Sequence, residues 1–299
     1  MKLEKTLSSW GPRAALAGLW LFHWLPLGLQ ALVGSLLGRL LYRLARGRRQ
    51  VALRNLQVCF PDIEPAKRKR LAQRHFQWVA RSLLERGLLW YGSERRLRRL
   101  IHIEGHIEFA SSTERPVMWL VPHFVGLELA GTASAMQPRR VVSMYQSQTN
   151  PVFDAALKQG RLRWRNGELL PRHHNAMPLV KAIKRGMVFL NLPDMDFGRR
   201  DSAFVPFFGT PAATLLAPSR LAKSLGMAVQ PVLTEILPGG QGYRVRYMPP
   251  WENFPTDDAE ADALFMNQWI ECAIRENPSQ YLWVHKRFKT RPAGEPRFY

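Results

Sequence analysis

The sequence predicts an α/β fold whose central sheet is mixed, mostly parallel and flanked by helices. After residue 100, short apolar runs alternate with segments whose apolar residues recur every three to four positions. Such alternation is typical of strands joined by crossover helices, which makes the sheet mostly parallel. A glycine-rich turn at 239–242 between two of the runs adds one antiparallel hairpin. A long apolar stretch near the N-terminus adds a membrane-anchoring helix to this fold.

The N-terminal stretch 14–42 is long enough to reach across a bilayer, although His23, Pro26 and Gln30 interrupt it. Tryptophans suited to a membrane interface lie in and just before it: Trp10, Trp20 and Trp24. More basic residues follow the stretch than precede it, namely Arg39, Arg43, Arg46, Arg48 and Arg49 against Lys2, Lys5 and Arg13. This bias predicts a transmembrane or interfacial membrane anchor over 1–46, with an α/β domain over 47–299 in the cytoplasm. A buried helical hairpin is the alternative, and the pattern leaves spanning and interfacial placement open.

A basic amphipathic helix is predicted over 65–90, after the start signal of Asp62 and Pro65. Its apolar stripe leaves a surface crowded with cations: Lys67, Arg68, Lys69, Arg70, Arg74 and Arg81. A solvated face is the ordinary explanation. A face of one sign beside a membrane anchor also suits anionic headgroups.

The remaining elements follow from the same periodicities. Strands are predicted at 117–121, 141–145, 187–192, 228–233, 243–248 and 281–284. Helices are predicted at 127–136, 151–159, 177–185, 214–225 and 259–276.

The charge of the chain restricts its partners. A formal net charge of +20 over 299 residues indicates an anionic partner: nucleic acid, an anionic membrane or an acidic carrier protein. Nucleic acid is disfavoured because the aromatic residues sit in apolar runs and are not interleaved with Lys and Arg. The two cysteines, Cys59 and Cys272, form no disulfide framework and indicate a reducing compartment.

His123 and Glu128 are the strongest candidates for catalysis. They follow the predicted strand 117–121 and Pro122, at the opening of a predicted helix. Within one helix, residues five apart point about 140° away from each other. With His123 in the loop and Glu128 in the first turn, the carboxylate can fold back onto the imidazole and fix its tautomer, as a general base needs. An unrelated strand-end His and helix-start Glu are the alternative.

Further polar and aromatic candidates lie downstream. Asp194 and Asp196 follow the strand predicted at 187–192, at the sheet edge where ligands gather, although a capped turn would look the same. Arg161 and Arg163 are suited to hold phosphate, or are ordinary surface arginines. An acyl-chain slot, or a core segment, is predicted from Phe204, Phe207 and Phe208.

Several chemistries are excluded by their missing motifs. No Gly-x-Ser-x-Gly elbow, P-loop or dinucleotide fingerprint occurs. His173 and His174 are adjacent and the cysteines are isolated, so no metal site and no cofactor are expected.

Taken together, these motifs resemble those of the bacterial lipid A biosynthesis acyltransferases of the late, lauroyl/myristoyl type. That family lies within the lysophospholipid and glycerol-3-phosphate acyltransferase superfamily. The matching pieces are 55–61 (NLQVCFP), 123–128 (HFVGLE), 150–163, 193–198 (PDMDFG), 204–209 (FVPFFG), 213–214 and 281–294 (YLWVHKRFKTRPAG). The departures are small: Met195 replaces a more usual Gln or His, and Glu128 stands where the superfamily more often has Asp.

The resemblance implies transfer of a fatty acyl chain from acyl carrier protein to a hydroxyl of a 3-hydroxyacyl chain on a Kdo-containing lipid A precursor. His123 would be the general base and Glu128 would orient it. Arg161 would hold a phosphate, with Asp194 and Asp196 supporting the cleft. The acceptor would be a phosphorylated glycolipid at the membrane.

Two other classes of function remain open. A membrane acyltransferase for a glycerolipid or another glycolipid would share the His box, and the 281–294 run argues against it. A non-catalytic membrane-surface protein would explain the charge, but gives no reason for His123 and Glu128 together at a strand end.

Overall fold

The computed structural model describes residues 2–164, 166–172 and 176–299. The pair His173 and His174, set aside above as metal ligands, lies outside the described residues. The helices are α1 (Lys2–Phe22), α2 (Leu27–Leu44), α3 (Arg46–Cys59), α4 (Pro65–Leu84), α5 (Arg86–Tyr91), α6 (Glu94–Leu100), α7 (Phe109–Ser112), α8 (Leu127–Ala135), α9 (Pro151–Leu162), α10 (Met177–Lys184), α11 (Ala217–Ser224) and α12 (Ala259–Glu276). The strands are β1 (Ile101–Gly105), β2 (Val117–Leu120), β3 (Val141–Tyr145), β4 (Gly167–Pro171), β5 (Val188–Asn191), β6 (Ser202–Phe207), β7 (Thr210–Leu215), β8 (Ala228–Ile236) and β9 (Tyr243–Tyr247).

The described strands form a central seven-stranded sheet in the order β1-β9-β8-β2-β5-β3-β4. Adjacent strands of this sheet are parallel, except β8 and β9, which are antiparallel and are joined by the turn predicted at 239–242. The central strand β2 is buried along its whole length, as a strand covered by helices on both faces must be. This arrangement confirms the predicted mixed, mostly parallel sheet. The strands β6 and β7 form a separate antiparallel hairpin that packs on α12.

Three segment predictions need correction. The run 281–284 is not a strand: only Tyr281 forms a bridge, to Phe124, because the segment turns back at once. The predicted helix 214–225 begins as β7 and becomes α11 only at Ala217. The basic helix predicted over 65–90 ends at Leu84, and a separate short helix α5 follows it.

The transmembrane or interfacial anchor predicted within 14–42 is not formed by one continuous helix. The helix is interrupted between α1 and α2 at residues 23–26, because Pro26 cannot continue it. The carbonyls freed at the break are satisfied, because Gln30 donates to those of His23 (3.2 Å) and Leu25 (2.8 Å), and Arg96 donates to both as well. Within the described ranges, no helix combines the length and the apolar character that a membrane crossing requires.

α2 packs closely on α4 through small residues. A Cβ atom at Gly38 would collide with the backbone of Gln77, and one at Gly34 would lie 2.8 Å from the Cγ atom of Arg81. Only glycine at these two positions lets the helix axes approach so closely. Arg81, predicted on the solvated face, is buried here and forms a 2.6 Å ion pair with Glu85. One face of α2 is therefore part of the folded domain, and the division predicted at residue 46 stays a prediction.

Candidate functional site

The site lies at the carboxyl edge of β2 and β5. These strands are parallel neighbours, so the segments that follow them emerge side by side. His123 follows β2 in the loop before α8, and Asp194 follows β5. The C-terminal segment then crosses this loop, because the N–H of Leu282 donates to the carbonyl of His123 (3.0 Å) and the N–H of Val125 to that of Gln280 (2.8 Å).

The imidazole of His123 is held by Asp194. Its Nδ1 lies 2.7 Å from Oδ1 of Asp194, and the backbone N–H of His123 donates to both carboxylate oxygens at 3.1 and 2.9 Å. Because an ionised carboxylate only accepts, Nδ1 carries the proton and Nε2 is left with its lone pair. Burial raises the pKa of Asp194, but the charge and hydrogen bonds of His123 outweigh it and lower that pKa below its ordinary value. Tyr281 also hydrogen-bonds to this buried carboxylate.

Glu128 forms no hydrogen bond or ion pair with the imidazole in the described part of the chain, contrary to the sequence prediction. Its Oε1 accepts from Nε of Arg161 (3.0 Å) and from Nε1 of Trp90 (2.8 Å), and its Oε2 accepts from Nη2 of Arg161 (2.8 Å). α8 begins at Leu127, as predicted, but the side chain of Glu128 is held by Trp90 of α5 and Arg161 of α9. The predicted His123–Glu128 contact is therefore wrong, while both residues stay at the site.

The Glu128–Arg161 pair is charged, with Glu128 buried and Arg161 partly exposed at the cavity. Burial raises the pKa of Glu128, but the charge of Arg161, its hydrogen bonds and the nearby Arg86 outweigh burial and lower the pKa to about 2. Gly160 allows the close approach of α9 to α5, because a Cβ atom there would collide with the ring of Trp90. The sequence signal for this arrangement was the Gly160-Arg161 pair. Trp90 was not predicted.

A cavity of about 240 Å³ opens beside these groups. His123, Glu128 and Arg161 contribute polar atoms to its wall. Most of the other lining is apolar or small and comes from α8, α9, β3, β4 and the segment around β5: Leu127, Gly131, Ala135, Val141, Leu157, Leu162, Gly167, Leu169, Leu190 and Leu192. An apolar pocket with a few converging polar groups is the usual form of a site for a largely apolar substrate.

The three phenylalanines predicted as the acyl slot lie elsewhere. Phe207 is fully buried among Phe208, Tyr281 and Phe288, as a core residue. Phe208 packs on Phe60, and Phe204 lies near the guanidinium of Arg199. The hairpin that carries them packs on α12, so none of the three lines the cavity beside His123.

Asp196 and Arg163, predicted to bind substrate, form hydrogen bonds to other residues of the chain. Asp196 accepts from the backbone N–H of Thr290 (2.6 Å) and from its hydroxyl (2.7 Å), which ties the C-terminal run to the site. Arg163 donates to the backbone carbonyls of Leu89 (3.1 Å) and Gly92 (2.7 Å). Of the four residues predicted to bind substrate, only Arg161 lines the cavity.

Sequence comparison extends over nearly the whole chain. A family model described as bacterial lipid A biosynthesis acyltransferase matches residues 2–290. The chain is 36% identical over 284 residues to the lipid A biosynthesis lauroyltransferase of Escherichia coli (strain K12), covering 94% of this chain and 92% of that protein. It is 33% identical to the lipid A biosynthesis palmitoleoyltransferase of the same strain, with the same coverage. The myristoyltransferase of that strain is 30% identical, covering 87% of this chain and 80% of its own length.

The family predicted from the 123–128 and 281–294 runs is thereby confirmed. A match across residues 2–290 and identities of 36% and 33% over 94% of the chain show that the protein belongs to the bacterial lipid A biosynthesis acyltransferase family and is an acyltransferase.

Proposed function

We propose that the enzyme transfers a fatty acyl group from acyl carrier protein to a hydroxyl of a 3-hydroxyacyl chain on a Kdo-containing lipid A precursor. The observation that carries the proposal is the oriented imidazole of His123, beside an apolar cavity, in a member of this family. The acceptor is a phosphorylated glycolipid and the donor an acidic protein. A chain with a net charge of +20 attracts both.

In the proposed reaction, Nε2 of His123 takes the proton from the acceptor hydroxyl as its oxygen attacks the thioester carbonyl. A tetrahedral intermediate forms, with its negative charge on the former carbonyl oxygen. The intermediate collapses to the ester and breaks the carbon–sulfur bond, and the imidazolium returns the proton to the leaving thiolate. No covalent enzyme intermediate is required, because a thioester is already activated.

Asp194 is the positioning residue in this mechanism. Its contact with Nδ1 selects the tautomer that leaves Nε2 able to accept a proton, and its charge stabilises the imidazolium. The two backbone hydrogen bonds and the bond from Tyr281 hold the carboxylate in place. Asp196 supports the same edge by fixing Thr290.

Glu128 acts on Arg161 and not on His123 in this proposal. Arg161 donates hydrogen bonds from Nε and Nη2 to the carboxylate of Glu128, whereas its Nη1 forms no hydrogen bond within the described residues. A guanidinium fixed in this way at the cavity wall can donate to the oxyanion of the intermediate without reorganisation. The phosphate-binding role predicted for Arg161 is less well supported, because Glu128 already neutralises its charge.

The acyl chain of the donor would occupy the cavity between α8, α9 and the sheet. Gly131 and Ala135 lie on the same face of α8, four residues apart, and both line the cavity. A Cβ atom on Gly131 would meet nothing within 4 Å, so its neighbours leave space there.

The proposed location is the cytoplasmic face of the inner membrane, with α1 and α2 lying in the interface. Large apolar side chains recur on the exposed side of α2, in what we call the α2 stripe: Leu29, Leu32, Val33, Leu36, Leu40 and Leu44. The helical repeat places these six within an arc of about 120°. Exposed tryptophans of α1 and the following turn, Trp10, Trp20 and Trp24, extend the apolar surface. Interfacial helices combine such a face with flanking cations.

The test is transfer by the purified enzyme from acyl carrier protein thioester to a tetra- or penta-acylated lipid A precursor. We expect one added acyl chain, linked as an ester and detected by mass spectrometry. Transfer to lysophosphatidate or glycerol-3-phosphate, with none to the lipid A precursor, would contradict the proposed acceptor.

A further inference from the structure

A second, cationic cavity lies at the end of α2, away from His123. It has a volume of about 900 Å³ and is open to the surface. We call it the basic groove, and its lining residues are Ala45, Arg46, Gly47, Arg48, Gln50, Val51, Arg54, Lys286 and Tyr299. It shares no lining residue with the cavity at His123. A ligand of the groove would therefore not occupy the reaction site.

The groove is positive without compensation. Arg46, Arg48, Arg54 and Lys286 are all exposed, and no side-chain carboxylate in the described part of the chain pairs with any of them. Arg48 donates to the backbone carbonyl of Val284 (3.1 Å), and the guanidinium of Arg54 lies over the ring of Phe298. These neutral contacts orient the cations but leave their charge available. Four converging cations on a rigid helix start and a fixed C-terminal run suit an anion with several oxygens.

The apolar surface of α2 leads directly into the groove. Leu40 and Leu44 are 47% and 66% exposed, and Ala45, the residue after Leu44, is the first groove residue. A molecule whose phosphate lay in the groove could place hydrocarbon chains along the α2 stripe. That combination of an anionic head beside two apolar tails is the chemistry of a membrane phospholipid.

We propose that the basic groove binds the phosphate headgroup of an anionic glycerophospholipid in the membrane on which the enzyme works. The inference rests on the proposed docking of the α2 stripe, but not on the acyl-transfer chemistry. The groove adds selectivity for anionic lipid to a binding energy that the stripe supplies through apolar burial. The enzyme is thereby oriented with α2 in the interface while the cavity at His123 stays free for donor and acceptor.

The test compares the binding of two variants of the full chain to vesicles, each with three positively charged side chains replaced by neutral glutamine. One set is Arg46→Gln/Arg54→Gln/Lys286→Gln, which keeps Arg48 because it binds the backbone. The control set removes three exposed cations of α4, Lys67→Gln/Lys69→Gln/Arg70→Gln. Binding is measured by co-sedimentation with phosphatidylcholine vesicles that contain either no phosphatidylglycerol or increasing fractions of it, at constant salt.

We expect the groove variant to lose about a hundredfold in affinity for vesicles rich in phosphatidylglycerol, since each of the three removed cations contributes roughly fivefold near an anionic surface. The α4 control should lose clearly less, and both should bind pure phosphatidylcholine like the parent enzyme. Calorimetric titration with dihexanoyl phosphatidylglycerol below its micelle concentration should give saturable binding to the parent enzyme and to the α4 control, but not to the groove variant. Equal losses in both variants, or no saturable binding, would overturn the proposal.

Two further readouts separate this inference from the proposed function. The groove variant should keep its KM for the lipid A precursor in phospholipid-free detergent. A raised KM there would overturn the assignment, because the groove would then hold the phosphate of the acceptor. Failure of the parent enzyme to bind any vesicle would overturn both docking and groove, while acyl transfer in detergent would still support the proposed reaction.

Discussion

The carboxylate that holds the imidazole of His123 is that of Asp194, and not that of Glu128, which the sequence analysis predicted. Asp194 stands 71 positions away along the chain yet contacts Nδ1, whereas Glu128, five positions away, is held by Arg161. An imidazole needs one partner to fix its tautomer, and the second ring nitrogen must stay free for chemistry. The proposed mechanism therefore depends on the residue at 194 more directly than on the residue at 128.

Substitution of the base and of its partner tests this pairing. His123→Ala should lower kcat by roughly a hundredfold or more, and Asp194→Asn by a similar factor, because general bases contribute about 10²–10⁴ in rate. The double variant should lose little more, since the two residues act as one unit. Both single variants should keep KM within a few-fold, and their circular dichroism should match that of the parent enzyme, which separates lost chemistry from lost structure. Near-normal turnover of folded Asp194→Asn would refute the positioning role.

The Glu128–Arg161 pair should couple more strongly than the pair Glu128–His123. Arg161→Met leaves a buried carboxylate without its partner, so we expect a loss of about 3–5 kcal/mol in the free energy of unfolding. Glu128→Gln/Arg161→Met should recover part of that loss, and urea unfolding measures both. In a kinetic double-mutant cycle, additive effects of Glu128→Gln and Arg161→Met would show that the two residues act separately.

The sequence named His123, Asp194 and Arg161, and the structure places His123 and Arg161 at one cavity with Asp194 on the imidazole. It also predicted a His123–Glu128 contact that is not formed and an acyl slot of three phenylalanines that lie elsewhere. His123, Asp194 and Arg161 could be named because each follows a predictable strand or helix. The start of α8 at Leu127 was predicted, but the direction of Glu128 was not, because it depends on Trp90 and Arg161, which the fold brings from α5 and α9. Trp90 carried no local signal, since its role depends on packing across Gly160.

Among the elements, α8 carries the small residues that shape the cavity. Gly131→Leu should fill the space beside Gly131, so activity with long acyl donors should fall much more than activity with donors about four carbons shorter. Gly131→Ala is the matched control and should change chain preference little. The measurement is kcat/KM for a series of acyl carrier protein thioesters. An equal loss for all chain lengths would place the acyl chain outside this cavity.

The element α2 shows why apolar composition alone left the placement of the predicted anchor open. Its leucines do form an apolar surface, as the sequence suggested, but Gly34, Gly38 and Tyr42 on its other side are buried against the domain. Proline at position 26 then separates it from α1. The period of the exposed leucines was visible in the sequence. The burial of the opposite face was not, because it depends on the partner helix α4.

For the whole molecule, buried histidines set the acid limit of stability. Burial lowers the pKa of His75 to about 4, against the hydrogen bond to the carbonyl of Ser279. Below pH 6.5, the ordinary pKa of histidine, the unfolded chain therefore binds a proton at His75 that the folded protein does not bind. The free energy of unfolding falls as the pH drops from 6.5 towards 4. This one group should remove about 2 kcal/mol of unfolding free energy between pH 7 and 5.

The check for His75 is urea unfolding across that pH range, with His75→Gln as the comparison. Glutamine can donate to the carbonyl of Ser279 but does not titrate, so the pH dependence should flatten by about one proton. Glu128 does not confuse the result, because the stability it gives is present above its ordinary pKa of 4.5 and is lost only below that. An unchanged slope would mean that His75 is not the group responsible.

The orientation of the molecule at a membrane should depend on the α2 stripe. Leu32→Gln/Leu36→Gln/Leu40→Gln should reduce binding to neutral vesicles by about a hundredfold, because burial of each half-exposed leucine contributes roughly 1 kcal/mol. The control Ile103→Gln/Phe265→Gln removes apolar side chains of similar exposure from β1 and α12 and should bind normally. The unfolding temperature should not fall in either variant. Deletion of 1–46 is a less suitable test, because it would also remove the buried face of α2. Equal binding by the stripe variant and the parent enzyme would show that another surface meets the membrane.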